Sequence, residues 1–178
     1  MKRHFFELKL KTSQFSRATG RNLTLNILHL TLREMDFNIS HPFHCSLPVQ
    51  LRFSDLDTLG HVNNSVYLNL FDLGKSDYFE RAAGERQDWN NVNVVIANIN
   101  INFLHETHFD EPLVVKTQVD HVGNKSFTVV QALQNTATGE IKCFCTQIMV
   151  YLDPETRTPA PLPQHWRDCF ATFEGREM

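Results

Sequence analysis

Thirteen residues, DLDTLGHVNNSVY from Asp55 to Tyr67, place two carboxylates, a glycine, a histidine and two adjacent asparagines between one short apolar run and one long one. An aspartate carboxylate in a loop can activate water as a general base or attack a carbonyl carbon itself. A helix that starts at the asparagines presents free N–H groups and the positive end of its dipole, which together stabilise an oxyanion. The bland alternative is that an Asp before a helix is a cap or a solvated turn residue, and the residues alone leave both readings open. Gly60 lets the loop turn sharply, by taking φ > 0 or by leaving room for a ligand. His61 is either a packed, hydrogen-bonded ring or a proton shuttle, since imidazole titrates near neutrality. Asn63 either contacts a ligand or braces the loop.

The elements that must hold these groups follow from periodicity. LPVQLRF alternates at Leu47, Val49, Leu51 and Phe53 and predicts a strand that ends at the polar stretch from Ser54 to Asn64. SVYLNLFDLGKSDYFERAAG then places Tyr67, Leu70, Phe71, Gly74 and Tyr78 at helical spacing, with Leu68, Leu73 and Phe79 carrying the apolar surface round the cylinder. Asn64 or Ser65 is the expected N-cap and Gly84 the left-handed C-cap. Gly74 weakens a helix interior, so its presence predicts a sheet backbone passing close by. Four strand-like runs follow: VNVVIANININ continuing into FLHE, PLVVKTQVDHV, KSFTVVQALQN and EIKCFCTQIMVYL, separated by Asp110 to Pro112, Gly123, and Asn135 to Gly139. PQHWRDCFATF predicts a short closing helix. One long helix between a first strand and four later ones indicates an α+β fold, an antiparallel sheet packed on that helix.

With 178 residues, 42% of them hydrophobic and 14 of them Phe, the chain suits one globular domain. Its net charge of −3 hides an asymmetry: Met1 to Glu34 carries seven Lys/Arg and two Glu, about +5, which leaves about −8 for the rest. Nothing basic marks the body as a nucleic-acid binder. The basic first stretch reads as an ordered extension, as a cleaved organelle presequence, or as a segment upstream of a start at Met35; no motif in it supplies a catalytic group. Residues 1–46 are accordingly set apart as a basic N-terminal extension, and 47–178 as the folded domain. Cys45, Cys143, Cys145 and Cys169 form no C-x-x-C pair, and no secretory signal or membrane-length apolar run precedes them. A reduced cytoplasmic setting with free thiols is expected, while the basic N-terminus leaves organelle import open. HPFHC and HETH supply His at i,i+3, but His105 and His108 fall at a strand end and neither cluster has a full ligand set, so no metal is expected.

The order strand, helix, four strands, with RFSDLDTLGHVNNSVYLNLFD across the first junction and GNKSFTV in a later strand, resembles the hot-dog fold acyl-CoA thioesterases of the 4-hydroxybenzoyl-CoA thioesterase-like family from about Leu47 to Asp153. The resemblance implies a five-stranded antiparallel sheet wrapped around one long central helix. It places the catalytic carboxylate on Asp57 and an oxyanion-binding amide at Asn64 or its neighbour; His61 stands where other members carry an apolar residue and is a secondary catalytic candidate only because imidazole titrates near neutrality. Ser65 stands where some members carry a helix-borne His. The expected activity is hydrolysis of an acyl-CoA to carboxylate and CoA in fatty acid metabolism, without metal or redox cofactor. Gly60, Asn63 and Tyr67 are the nearby substrate-binding candidates. Lys125 and Ser126 are candidates for the CoA phosphates, weighed against a solvated strand start. Relatives assemble as homodimers or dimer-of-dimers tetramers, which puts the pocket at a seam where Lys125 and Ser126 come from the second chain. No membrane partner is implied. Two other readings are a noncatalytic acyl-CoA-binding hot-dog protein, which has no need of Asp57, and an acyl-carrier-protein thioesterase, whose cysteine Cys143 or Cys145 could imitate. Buried structural thiols are the expectation for that pair.

Overall fold

The alternating runs all become strands of one sheet. The computed structural model describes residues 41–88 and 92–178; the three readings of the basic first stretch lie outside them. The strands are β1 (Cys45–Val49), β2 (Val94–Phe103), β3 (Leu113–Val122), β4 (Ser126–Asn135) and β5 (Ile141–Tyr151); the helices are α1 (Asn64–Ala83) and α2 (Gln164–Glu174). All four pairings are antiparallel, in the order β1-β3-β4-β5-β2. This is the hot-dog arrangement, α+β with a five-stranded sheet on a long helix.

Strand β1 begins at Cys45 and stops at Val49, short of the expected Phe53. The chain leaves the sheet there because Arg52 and Asp55 close a 3-10 turn over Phe53–Asp55: the Arg52 N–H donates to Asp55 Oδ2 at 2.7 Å, and Phe53 projects into solvent, 84% exposed. Leu51 still packs in the core.

Helix α1 buries Tyr67, Leu70, Phe71, Gly74, Lys75, Tyr78 and Phe79. Leu73, expected to extend the apolar surface, is 55% exposed, so the helix covers the sheet with one broad side. A Cβ on Gly74 would collide with the side chains of Val115 and Thr117 on β3. The close approach inferred from this glycine is therefore real, but it is made to side chains of the sheet and not to its backbone. The N-cap is Asn63, one residue before the expected pair, and Gly84 closes the helix at φ 71°.

Beneath the middle of α1 the core is polar. Lys75 Nζ donates to Asp72 Oδ1 and Gln147 Oε1, Gln147 Nε2 donates to Gln131 Oε1, and Gln131 Nε2 donates to the Phe71 carbonyl and Thr117 Oγ1. Each of these buried groups has a partner, which removes most of the penalty of leaving water. Nearer the C-terminus, Tyr78, Phe79 and Phe127 join Trp166, Phe170 and Phe173 of α2 in an aromatic cluster. Glu174 ends α2 by accepting from Tyr78 Oη at 2.7 Å and from the Val119 N–H at 3.1 Å. Burial drives the Tyr78 hydroxyl well above its ordinary range, so it stays a donor.

Candidate active site

The loop between the 3-10 turn and α1 is held by its own backbone. Asp57 donates its N–H to the His61 carbonyl at 2.8 Å, Gly60 donates to the Asp57 carbonyl at 3.1 Å, and Asn63 donates to the Asp55 carbonyl at 2.8 Å. Gly60 takes φ 79°, a value that strains any residue with a Cβ. The Val62 N–H reaches across to the Thr107 carbonyl at 2.9 Å and ties this loop to the segment after β2.

Within that frame each aspartate anchors one oxygen, and only Asp57 lines the open cleft beside Asn64. Asp55 Oδ2 is consumed by the Arg52 N–H. Asp57 Oδ1 accepts from the Leu59 N–H at 2.8 Å and the His61 N–H at 3.2 Å, while Oδ2 takes no hydrogen bond from the described residues. One oxygen is thus anchored and the other available.

The helix start divides its amides in the same way. Asn63 is extended, with φ −61° and ψ 139°, and its Oδ1 accepts from both the Ser65 N–H at 3.0 Å and Ser65 Oγ at 2.9 Å. The Ser65 amide is thereby used. The Val66 N–H donates to the Asn63 carbonyl. The Asn64 N–H, at the first helical position, has no partner among the described residues. It sits at the positive end of the helix dipole.

Asp57, His61, Asn64 and Tyr67 line one open cleft of about 250 Å³ with Val62, Phe103 and Leu104 and with His105 and Glu106. Tyr67 is buried at its floor, donates to Thr107 Oγ1 at 3.0 Å and packs edge-on to Phe103. Burial raises its hydroxyl above the ordinary range, so Tyr67 serves as wall and donor. Gly60 and Asn63 shape the loop from behind. Lys125 and Ser126 are not brought to this cleft within the chain: they lie at the β3–β4 turn, where Lys125 Nζ donates to the Pro159 carbonyl at 2.9 Å and the Ser126 carbonyl accepts from Gly123.

The segment after β2 is pinned by a buried cation. Lys142 Nζ bonds Glu111 at 2.8 Å, Glu140 at 2.7 Å and the Glu106 carbonyl at 3.1 Å, and the Lys142 carbonyl accepts from the Leu104 and His105 N–H groups. No local pattern pointed to Leu104, His105 or Glu106 as cleft residues, because they arrive through this long-range anchoring. Cys143 and Cys145 are buried in the core and burial raises both thiols, so neither is a poised thiolate. Cys45 is pushed up to about 12 by burial and by Asp77, whose carboxylate its thiol faces.

Comparison with known proteins gives this geometry a context. A family model described as thioesterase-like superfamily matches residues 51–170. The chain is 24% identical over 123 residues to the long-chain acyl-CoA thioesterase FadM of Escherichia coli strain K12, a match covering 67% of this chain and 92% of that protein. A thioesterase from Thermus thermophilus, solved with coenzyme A and zinc, superposes with a TM-score of 0.69 at 29% identity, over 76% of this chain and 98% of that one. A 4-hydroxybenzoyl-CoA thioesterase variant bound to 4-hydroxybenzoyl-CoA superposes at 0.63 with 19% identity, over 70% of this chain and 96% of that one, a likeness of fold.

Proposed function

The chain belongs to the thioesterase-like superfamily and is a thioester hydrolase, and from that premise we propose that it cleaves acyl-CoA to the carboxylate and CoA in the cleft beside Asp57. The observation that carries this reading is the division of labour on the loop: one Asp57 oxygen anchored and the other available, facing the same cleft as an unpartnered amide of α1. A thioester carbonyl seated between them receives a nucleophile on carbon and an N–H on oxygen. Asp57 Oδ2 acts on carbon, either by deprotonating water or by attacking directly to form an acyl anhydride. The Asn64 N–H takes the developing oxyanion, reinforced by the helix dipole. The thiolate of CoA leaves, and for an already activated ester this pair of functions is sufficient. Buried Tyr67 and half-exposed Phe103 supply an apolar wall for the acyl group.

CoA as the leaving group is supported by FadM, an acyl-CoA thioesterase, and by the coenzyme A held by the Thermus relative. The assembly proposed is a homodimer closed along β2, and the reason lies in the edge of that strand. Ile99 and Phe103, 40% and 45% exposed, pair with Gln147 and Cys143 on the helix-facing side of the sheet, beyond the reach of α1. A second chain covering this edge brings its own residues to the mouth of the cleft, the place left for Lys125 and Ser126. Thiol release measured over short-chain, long-chain and aromatic acyl-CoAs, and over the same acyl groups on acyl carrier protein, tests the reaction. Turnover of at least one CoA ester, and slower turnover of its carrier-protein counterpart, is expected; release from carrier protein alone contradicts the proposal. A single turnover in oxygen-labelled water tests the Asp57 routes: label in Asp57 shows an anhydride opened at the Asp57 carboxyl, whereas label in the product acid fits general-base attack or an anhydride opened at the acyl carbon, which trapping of the acyl-enzyme then separates.

A further inference from the structure

The two histidines of separate sequence segments that offered no ligand set on their own converge in the folded chain. His61, from the loop before α1, and His108, from the segment after β2, meet on opposite oxygens of one carboxylate: His61 Nε2 lies 3.3 Å from Glu106 Oε2, and His108 Nε2 lies 3.5 Å from Glu106 Oε1. The rings stand edge-on with centroids 5.2 Å apart, and one donor atom from each of the three residues falls within 4.8 Å of the others. Zinc held at about 2.0–2.2 Å by nitrogen and oxygen in a tetrahedron sets its ligand atoms roughly 3.4 Å apart, so closing this cluster needs movements of about 1 Å.

We propose that His61, Glu106 and His108 form a site for a zinc-class divalent cation at the rim of the cleft. Two imidazoles and one carboxylate favour borderline metals over calcium or magnesium, which take all-oxygen shells. The side chains of His61, Glu106 and His108 are 34%, 64% and 46% exposed, which gives an ion a path in and leaves water as the fourth ligand. The backbone behind each histidine is fixed. Asp57 brackets His61, donating to its carbonyl and accepting from its N–H, and the His108 N–H donates to Glu111 Oε1 at 2.8 Å, a carboxylate locked in turn by Lys142 and Asn135. These contacts hold in place the backbone that carries each ring. Bound cation would clamp the Asp57 loop to the segment after β2, across the seam now bridged by the Val62–Thr107 hydrogen bond.

The site stands apart from the question of thioester turnover and is tested by binding alone. Metal-free protein is dialysed against micromolar zinc chloride, and separately titrated with cobalt(II), whose tetrahedral complexes absorb visibly. One saturable zinc per chain and a tetrahedral cobalt spectrum are expected. His108→Ala and Glu106→Gln, both at exposed positions, should each lower zinc affinity roughly tenfold or more. His165→Ala and Cys169→Ser, remote from the cluster, should bind as the native chain does, with circular dichroism checking the fold of all four. Zinc binding unchanged in both cluster variants, or lost only with Cys169, would place the ion elsewhere and overturn the site. Failure of the native chain to bind zinc would overturn it equally.

Discussion

Asp55 and Asp57 lie two positions apart on one loop and each anchors one carboxylate oxygen on backbone N–H groups, but only Asp57 lines the cleft beside Asn64. Asp55→Ala should lower stability by about 1 kcal/mol, the scale of one lost hydrogen bond, and reduce turnover only as far as the loop shifts. Chemical denaturation run beside an assay of the same sample separates the two effects. Asn63 is the second residue where support and chemistry meet, since its side chain caps Ser65 and so leaves the neighbouring Asn64 amide as the unpartnered one. Asn63→Ala should cost about 1 kcal/mol of stability and, by letting the first turn fray, lower kcat more than it raises KM. An unaltered kcat in that variant would detach the helix start from the oxyanion.

At the scale of elements, the anchor of the cleft's far wall is the Lys142–Glu111 pair, with side chains 8% and 12% exposed. Burial works to raise the Glu111 carboxyl, but bonds from Lys142, from Asn135 and from the His108 N–H outweigh it and hold the group below its ordinary 4.5. A depressed carboxyl contributes stability that is complete above pH 4.5 and is lost as pH falls through the lowered value. The native melting temperature should thus fall below pH 4.5 more steeply than that of Glu111→Gln. Lys142→Met, which strands Glu111 without its cation, should cost about 3 kcal/mol or more at neutral pH, read by denaturant titration. These elements were unevenly legible in the sequence. Strands β3, β4 and β5 match their alternating runs to within a residue or so, since turn residues bound each one. Strand β1 does not, because Leu51 and Phe53 prolong the alternation past the point where the Arg52–Asp55 turn takes the chain out of the sheet. Asp57, His61, Asn64 and Tyr67 could be grouped from sequence because they are near neighbours on one loop and helix turn. Glu106 could not, because it reaches the cleft through Val62–Thr107 and Lys142, contacts between distant segments that leave no periodic trace.

For the whole molecule, the edge strand β2 exposes Ile96, Ile99 and Phe103, each at least 40%, and this apolar edge is the basis of the proposed assembly. The native protein should scatter light at twice its 20.6 kDa chain mass or a multiple of it, and Ile99→Glu should shift it toward the monomer. A stable, fully active native monomer would contradict assembly along β2. The central claim, that a thioester is opened by Asp57 in this cleft, is tested most directly by assaying native protein and Asp57→Asn with the same acyl-CoA while measuring affinity for a nonhydrolysable thioether analogue. Turnover should fall by roughly 10²-fold or more, the lower part of what a positioned base contributes, while the analogue binds as well or better once the negative charge is gone. If Asp57→Asn instead kept near-full activity and His61→Ala abolished it, the carboxylate assignment would be wrong and the chemistry would belong to the histidine.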